Sequence, residues 1–211
     1  MSENRKKSEI ERRNIPVSEL RAITDDKGLR HIVGYAAVFN SLSEDLGWFV
    51  EKIDPGAFRD SIATDDIRAL WNHESKYILG RNKSGTLTLA EDERGLKIDI
   101  SPPDAQWAKD LMTSIDRGDV SQMSFGFKTL SDEWNLVDGK DVRTLIKVRL
   151  YDVSPVTFPA YPDTEVVLRS LEKHRKSKNI PPSGGSNGAE DGRNTVLLSQ
   201  EDEAYKIIMC V

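Results

Sequence analysis

The chain is poor in the residues that build metal and disulfide sites. Its 211 residues include one cysteine, Cys210, and three histidines, His31, His73 and His174. A single cysteine excludes a disulfide framework and a multi-cysteine zinc site within one chain, and it suits a reducing compartment. With so few imidazoles and thiols, a metal site would need carboxylates, so no metal and no cofactor is expected. Long apolar runs are missing too. No segment approaches the ~20 apolar residues of a membrane span, so no membrane association is expected. Met1 to Lys7 is basic but lacks the apolar stretch of a signal peptide, and the expectation is a soluble cytoplasmic product. Net positive charge is also absent. The formal net charge is −5, which gives no basis for a nucleic-acid surface.

What is present supports one core with polar tails. Hydrophobic residues make up 37% and charged residues 31% of the sequence. A domain of roughly 150 residues buries about 70% of its unfolded surface and needs no staple to fold. Residues 1–14 are charged without apolar period and read as a disordered basic arm. Residues 15–176 read as the folded domain. Residues 177–211 read as a flexible linker, with Ile180-Pro-Pro-Ser-Gly-Gly-Ser-Asn-Gly188 at its heart, and a short C-terminal segment in which Ser199 to Met209 can form a helix.

Within the domain, His31 to Phe39 is apolar on both parities, as in a strand covered on both sides. Asp54 to Ile62 predicts a short helix, with Asp54 as cap and Pro55 at the first position. Ile67 to His73 predicts a strand. Thr86–Leu89 and Gly95–Ile100 predict a hairpin. Trp107, Leu111 and Ile115 recur every four residues in a helix over 104–117, capped by Asp104 and closed by Gly118. Val120–Leu130 and Thr144–Val153 predict two further strands around an Asp138-Gly139 turn, and Asp163 to Lys176 a last helix.

Three side chains on these strands are of catalytic type. His73 shares a parity with Ile67, Ala69 and Trp71, so it projects from the apolar face. Ser124 sits on the opposite parity from Met123, Phe125 and Phe127. It lies beside Gly126, whose missing side chain suits close approach by a ligand backbone. Asp152 shares the parity of Ile146, Val148 and Leu150. A carboxylate on an apolar face is costly unless paired or hydrogen-bonded. Imidazole, hydroxyl and carboxylate are a general base, a nucleophile and the group that orients the base. Their order, His then Ser then Asp, is that of neither chymotrypsin nor subtilisin. Each residue also has a plainer reading. His73 could be a half-buried histidine on a backbone carbonyl, Ser124 a small strand residue, and Asp152 a strand-end carboxylate on backbone amides. Glu74 is a rival acid whose parity points away from His73. Trp48 and Phe49 suit either a substrate groove or the core. No Gly-x-Ser-x-Gly elbow surrounds Ser124, which argues against an esterase or amidase.

Several motifs together resemble a known family. They are Gly34-Tyr-Ala-Ala-Val-Phe39, Asp54-Pro-Gly-Ala-Phe58, Leu70-Trp-Asn-His73-Glu and Gly80-Arg81 followed by Gly85-Thr-Leu-Thr-Leu89. Met123-Ser124-Phe-Gly-Phe127 and Asp152-Val-Ser-Pro-Val-Thr-Phe-Pro-Ala160 complete the set. In this order and spacing they resemble the prohead (capsid-maturation) serine proteases of tailed bacteriophages, over about residues 15 to 170. That family is similar in fold to the herpesvirus protease assemblin. The resemblance implies a mostly β, α+β fold: an antiparallel β-barrel surrounded by packed helices. It implies His73 as base, Ser124 as nucleophile and Asp152 as third member, where related patterns often carry Glu and the herpesvirus enzymes His. It also implies cleavage of the scaffold, the major capsid protein and the chain itself, inside the assembling prohead in the bacterial cytoplasm, with self-association as a possible dimer. The linker after Lys176 is then an expected self-cleavage region. Oxyanion donors are sought among the amides from Pro155 to Ala160 and in Arg81 or Arg149. The competing reading is a catalytically inactive scaffold or capsid-interior assembly protein.

Overall fold

The structure is a computed structural model that describes residues 10–16, 20–46 and 49–158. All of these lie in one unit of the chain, Met1–His174. The expected helices after residue 162, the linker, Trp48, His174 and Cys210 fall outside the described residues.

Ten strands and two α-helices follow in order. They are β1 (Glu11–Pro16), β2 (Arg21–Thr24), β3 (Arg30–Val38), β4 (Phe49–Ile53), α1 (Arg59–Thr64), β5 (Arg68–Trp71) and β6 (Glu74–Arg81). After a 3₁₀ turn come β7 (Leu87–Glu91), β8 (Gly95–Ile100), α2 (Gln106–Asp116), β9 (Gln122–Val137) and β10 (Lys140–Val156). Strand pairing builds two sheets rather than one closed barrel. One runs β1-β9-β10-β5-β6, with β4 also on β10; the other runs β2-β3-β8-β7. Among the described residues the fold is therefore mostly β, as expected.

The spine of the larger sheet is β10. One of its edges pairs antiparallel with β9. Its other edge takes β4 in parallel at Asp141–Leu145 and then β5 in parallel at Asp152–Val153. Both β9 and β10 are longer than expected because the Asp138-Gly139 turn is only two residues wide, with Val137 opposite Lys140. Both turn residues have positive φ, the type I′ geometry that continues the twist of the strands. The largely exposed sequence from Ser131 to Lys140 hides this extension, since an exposed ribbon is not marked by burial of one face.

Between the sheets lies a single large core. Met123, Phe125 and Phe127 of β9 are fully buried, against Ile32, Ile98 and Ile100 of the smaller sheet. Full burial of each such side chain contributes roughly 1.5–3 kcal/mol. Helix α2 adds Ala108, Leu111, Met112 and Ile115, spaced to form one face. It begins one turn-position later than expected: Ala105 occupies the cap, and Asp104 is ion-paired with Lys109 instead. Helix α1 is displaced further. Pro55 and Gly56 (φ 93°) form a turn closed by the Ala57 N–H on the Asp54 carbonyl, and the helix starts only at Arg59. Pro-Gly at the centre of a turn is the stronger signal, because Gly supplies the positive φ that the turn requires.

The N-terminal boundary also moves. Glu11 to Asn14, assigned to the arm on charge alone, belong to β1, which pairs along β9 from Phe127 to Gln122. Charge is what holds it there. Arg13 forks onto Glu51 (Nε to Oε1, 2.8 Å) and reaches Glu11 (Nη2 to Oε2, 2.8 Å). Arg143 donates to Glu11 (2.8 Å), Glu51 (3.0 Å), Asp132 (2.7 Å) and Thr129 (2.8 Å). Glu11, Arg13, Glu51 and Arg143 are all buried. Four strands, β1, β4, β9 and β10, meet in this cluster.

Candidate active site

Ser124 lies near the start of β9, and Ser154 of β10 is its cross-strand neighbour. One step along, Gly126 faces Asp152. Residues paired across antiparallel strands share a face, so Ser124, Ser154 and Asp152 lie together on the face opposite Phe125 and Phe127. The expected route to this position was wrong. Parity put Asp152 with Leu150, but the register slips between them: Leu150 faces Phe127 and Asp152 faces Gly126, leaving Tyr151 as an extra residue. That bulge turns Asp152 off the apolar face and onto the face of Ser124.

His73 is not on a strand either. Strand β5 ends at Trp71, which pairs with Glu74, so Asn72 and His73 form a two-residue hairpin turn. Their φ values are 54° and 58°, the left-handed region at both positions. Asn tolerates it well, whereas a β-carbon-bearing His at the second position of a type I′ turn replaces the usual Gly at a cost of roughly 1 kcal/mol. The turn is tied to the end of β10. Asn72 N–H donates to the Pro155 carbonyl (3.0 Å), and Asn72 Oδ1 accepts from Thr157 N–H (2.9 Å). The hairpin is braced from behind by Trp71 on Tyr77 and Tyr77 on Trp107 of α2, with ring centroids 5.5 and 5.2 Å apart. A half-buried Trp71 is thus a brace, and the apolar parity expected to carry His73 ends one residue before the turn begins.

Thus positioned, the imidazole bridges the other two groups. His73 Nε2 lies 2.7 Å from Ser124 Oγ, and Nδ1 lies 2.5 Å from Asp152 Oδ2. An ionised carboxylate only accepts, so Nδ1 carries the proton and Nε2 is left as acceptor for the Ser124 hydroxyl. This is the arrangement a hydroxyl nucleophile needs: a base on its proton, and an acceptor that holds the tautomer. The side chains of His73 and Asp152 are 6% and 12% exposed, and Ser124 has no exposed surface. Low solvent exposure strengthens both contacts.

Gly126 has a different role from the one its neighbourhood suggested. A β-carbon placed there would lie 2.4 Å from Asp152 Oδ1. The empty position accommodates the carboxylate, not a ligand backbone. Gly126→Ala is therefore expected to drive Asp152 away from His73, lowering any His73-dependent activity by on the order of 100-fold and the melting temperature by several degrees. A variant with unchanged melting temperature and turnover would refute that steric role.

Two residues escaped the sequence reading. Ser154 donates to Asp152 Oδ2 at 2.8 Å, and Asn72 clamps the His73 turn. The signal for Ser154 was available: it lies two residues after Asp152, hence on the same face of a strand. The rival acid Glu74 is exposed and 3.9 Å from Lys76. Arg81 is forked onto Asp66 with two 2.7 Å bonds, at the end of β5–β6 away from His73, and pulls the Asp66 carboxyl down to about 2. Arg149 faces Asp65. Thr157 N–H is committed to Asn72 Oδ1, so this amide is not an uncommitted donor. Phe49 is core: it is fully buried beside Leu46 and Trp134. His31 is half-buried and bonded to Asp99 (2.8 Å). Among the described residues no three His, Cys, Asp or Glu side chains gather into a metal site, and no helix is long and apolar enough to cross a membrane.

Residues 17–177 match the family described as the caudovirus prohead serine protease. The chain belongs to that family. It is also 33% identical over 132 residues to a protein named "Prohead protease" of Enterobacteria phage HK97, covering 60% of this chain and 54% of that protein. The chain thus aligns with about half the length of this curated relative. No solved structure gives a significant match. All three residues of the bridged set lie inside the family match, as do Gly126 and Ser154.

Proposed function

We propose that this chain is a serine endopeptidase that processes capsid or scaffold proteins, and itself, during phage prohead maturation. The observation that carries the reading is the imidazole of His73 held between Ser124 Oγ at 2.7 Å and Asp152 Oδ2 at 2.5 Å. Membership of a prohead serine protease family supplies the substrate class.

In this reading Ser124 Oγ attacks the scissile carbonyl while His73 Nε2 takes its proton. Asp152 keeps the imidazole in the required tautomer and stabilises the imidazolium. His73 then protonates the leaving amine. It next takes a proton from water as that water attacks the acyl-enzyme, and returns it to Ser124 Oγ as the acyl bond breaks and the acid product leaves. The tetrahedral oxyanion needs donors, worth roughly 3 kcal/mol each. Arg81 is forked onto Asp66, which favours backbone amides in that role. The site of action is the interior of the assembling prohead in the host. The linker after Lys176 is the proposed self-cleavage region, and self-association accompanies activity.

The test is co-expression of this chain with its capsid or scaffold protein, with and without Ser124→Ala. Size-specific cleavage by the wild type that disappears in the variant is the expected result. Identical processing in both cultures would sink the peptidase reading and favour a catalytically inactive assembly role.

A further inference from the structure

We infer that Ser154 is a positioning residue for Asp152: its hydroxyl holds the carboxylate in the orientation from which Oδ2 faces His73. The inference rests on the proposed reading of His73, Ser124 and Asp152 as one catalytic unit. Ser154 is fully buried, directly across the strand pair from Ser124, and on the face that carries all three groups. Its Oγ is 2.8 Å from Asp152 Oδ2 and 3.4 Å from His73 Nδ1. A hydroxyl has one proton to donate. With the Nδ1 proton already directed at Oδ2, the carboxylate is the acceptor left to it. Oδ2 therefore accepts from both His73 and Ser154.

The geometry around Asp152 gives this bond its purpose. Asp152 follows a bulge, where the strand is least regular. Its Oδ2 faces His73 Nδ1 at 2.5 Å. Its other oxygen, Oδ1, rests in the space left by Gly126. A donor on one oxygen and a glycine gap beside the other set the plane of the carboxylate. Among the described residues, His73 and Ser154 are the side chains that bond Oδ2, so without the Ser154 hydroxyl His73 alone holds it toward the ring. Ser154 is not a second nucleophile. It faces the protonated Nδ1, whereas the basic Nε2 faces Ser124.

Ser154→Ala removes one oxygen and adds no bulk, so the fold is expected to persist, checked by its melting temperature. Two readouts separate positioning from packing. In turnover of a peptide spanning a mapped cleavage site, kcat is expected to fall about 10- to 100-fold with KM within twofold, because substrate contacts are untouched while the base is misaligned. In proton NMR of the resting chain, the His73 Nδ1 proton is expected far downfield, absent in Asp152→Asn and displaced in Ser154→Ala. Ser154→Thr keeps the hydroxyl and is expected to restore both. An unmoved resonance with unchanged kcat would overturn the inference. So would a loss in Ser154→Ala as complete as in Ser124→Ala, since that would make Ser154 a reacting group. If the wild type cleaves nothing, the peptidase reading fails on its own, and the resonance still decides whether Ser154 orients Asp152.

Discussion

Ser124→Ala is expected to lower kcat/KM by on the order of 10⁶-fold, His73→Ala by about as much, and the double variant by no more than either. The reason is geometric. Ser124 Oγ and His73 Nε2 share one hydrogen bond of 2.7 Å, so among the described residues the hydroxyl is the group aligned with the basic nitrogen. Without Oγ no acyl-enzyme forms. Without the imidazole the hydroxyl keeps its proton at neutral pH and is a poor nucleophile. Each loss disables the same step, and costs that act on one step do not add. Structural damage should be slight. Removing Oγ deletes one side-chain hydrogen bond, worth about 1 kcal/mol, and leaves a strand held by β1 on one side and β10 on the other. The check is single-turnover cleavage of a peptide spanning a mapped site, with the melting temperature beside it. Residual rates within tenfold of wild type, or a double variant far below both singles, would show that the two side chains do not act as a unit.

The second large effect lies away from the site. Arg143→Ala is expected to destabilise the fold by about 3–5 kcal/mol. Burial alone would favour a neutral Arg143; the charge of Glu51 and the hydrogen bond that Arg143 donates to Glu11 overturn that and hold it more firmly protonated than an ordinary arginine. Removing it leaves the buried Glu11 and Glu51 with Arg13 as their one remaining cation among the described residues, and strips Asp132 of its arginine partner. Lysine should not rescue it, because one ammonium cannot reproduce a fork that reaches Glu11, Glu51, Asp132 and Thr129. Urea denaturation measures the loss, and a change below 1 kcal/mol would mean that the cluster is solvated in solution.

The same cluster gives a pH dependence. Burial pushes the Glu11 carboxyl up, but the hydrogen bond and charge of Arg143, with Arg13 and Thr129, bring it below the ordinary 4.5. A group whose folded value is depressed contributes stability that is present above its unfolded value and is lost as pH falls through its folded value. Unfolding free energy should therefore drop as pH falls below about 4.5, and Glu11→Gln should flatten part of that slope. Because β1 carries Glu11 and lies against the strand of Ser124, acid should release β1 first. Hydrogen exchange at Glu11 to Pro16 that follows the global rate at all pH values would argue against this order.

Local chemistry was the legible part of this protein. The apolar alternation of Met123, Phe125 and Phe127 marks β9, and the four-residue recurrence of Trp107, Leu111 and Ile115 marks α2, because those periods are properties of the backbone alone. The residue types His73, Ser124 and Asp152 were also legible, since a carboxylate among apolar neighbours needs a partner wherever the chain goes. Strand-parity reasoning failed at two of the three. A positive-φ turn carries His73, and a bulge turns Asp152 to the other face. Neither has a distinctive local pattern, because each is stable only through what it packs against: Thr157 and Pro155 for the turn, Gly126 and Ser154 for the bulge. The buried charges of β1 were unreadable for a related reason. Glu11 and Arg13 look like a solvated arm until Glu51 and Arg143, more than thirty residues distant in sequence, are brought to them.

The sequence by itself determined the mostly β character and one core, because composition and period act within a few residues, and it marked His73, Ser124 and Asp152 as candidates by their chemistry. Tertiary structure alone decided the faces on which they meet. Hydrogen-bond register across β9 and β10 is a long-range choice, and a slip of one residue sends a side chain to the opposite side of the sheet.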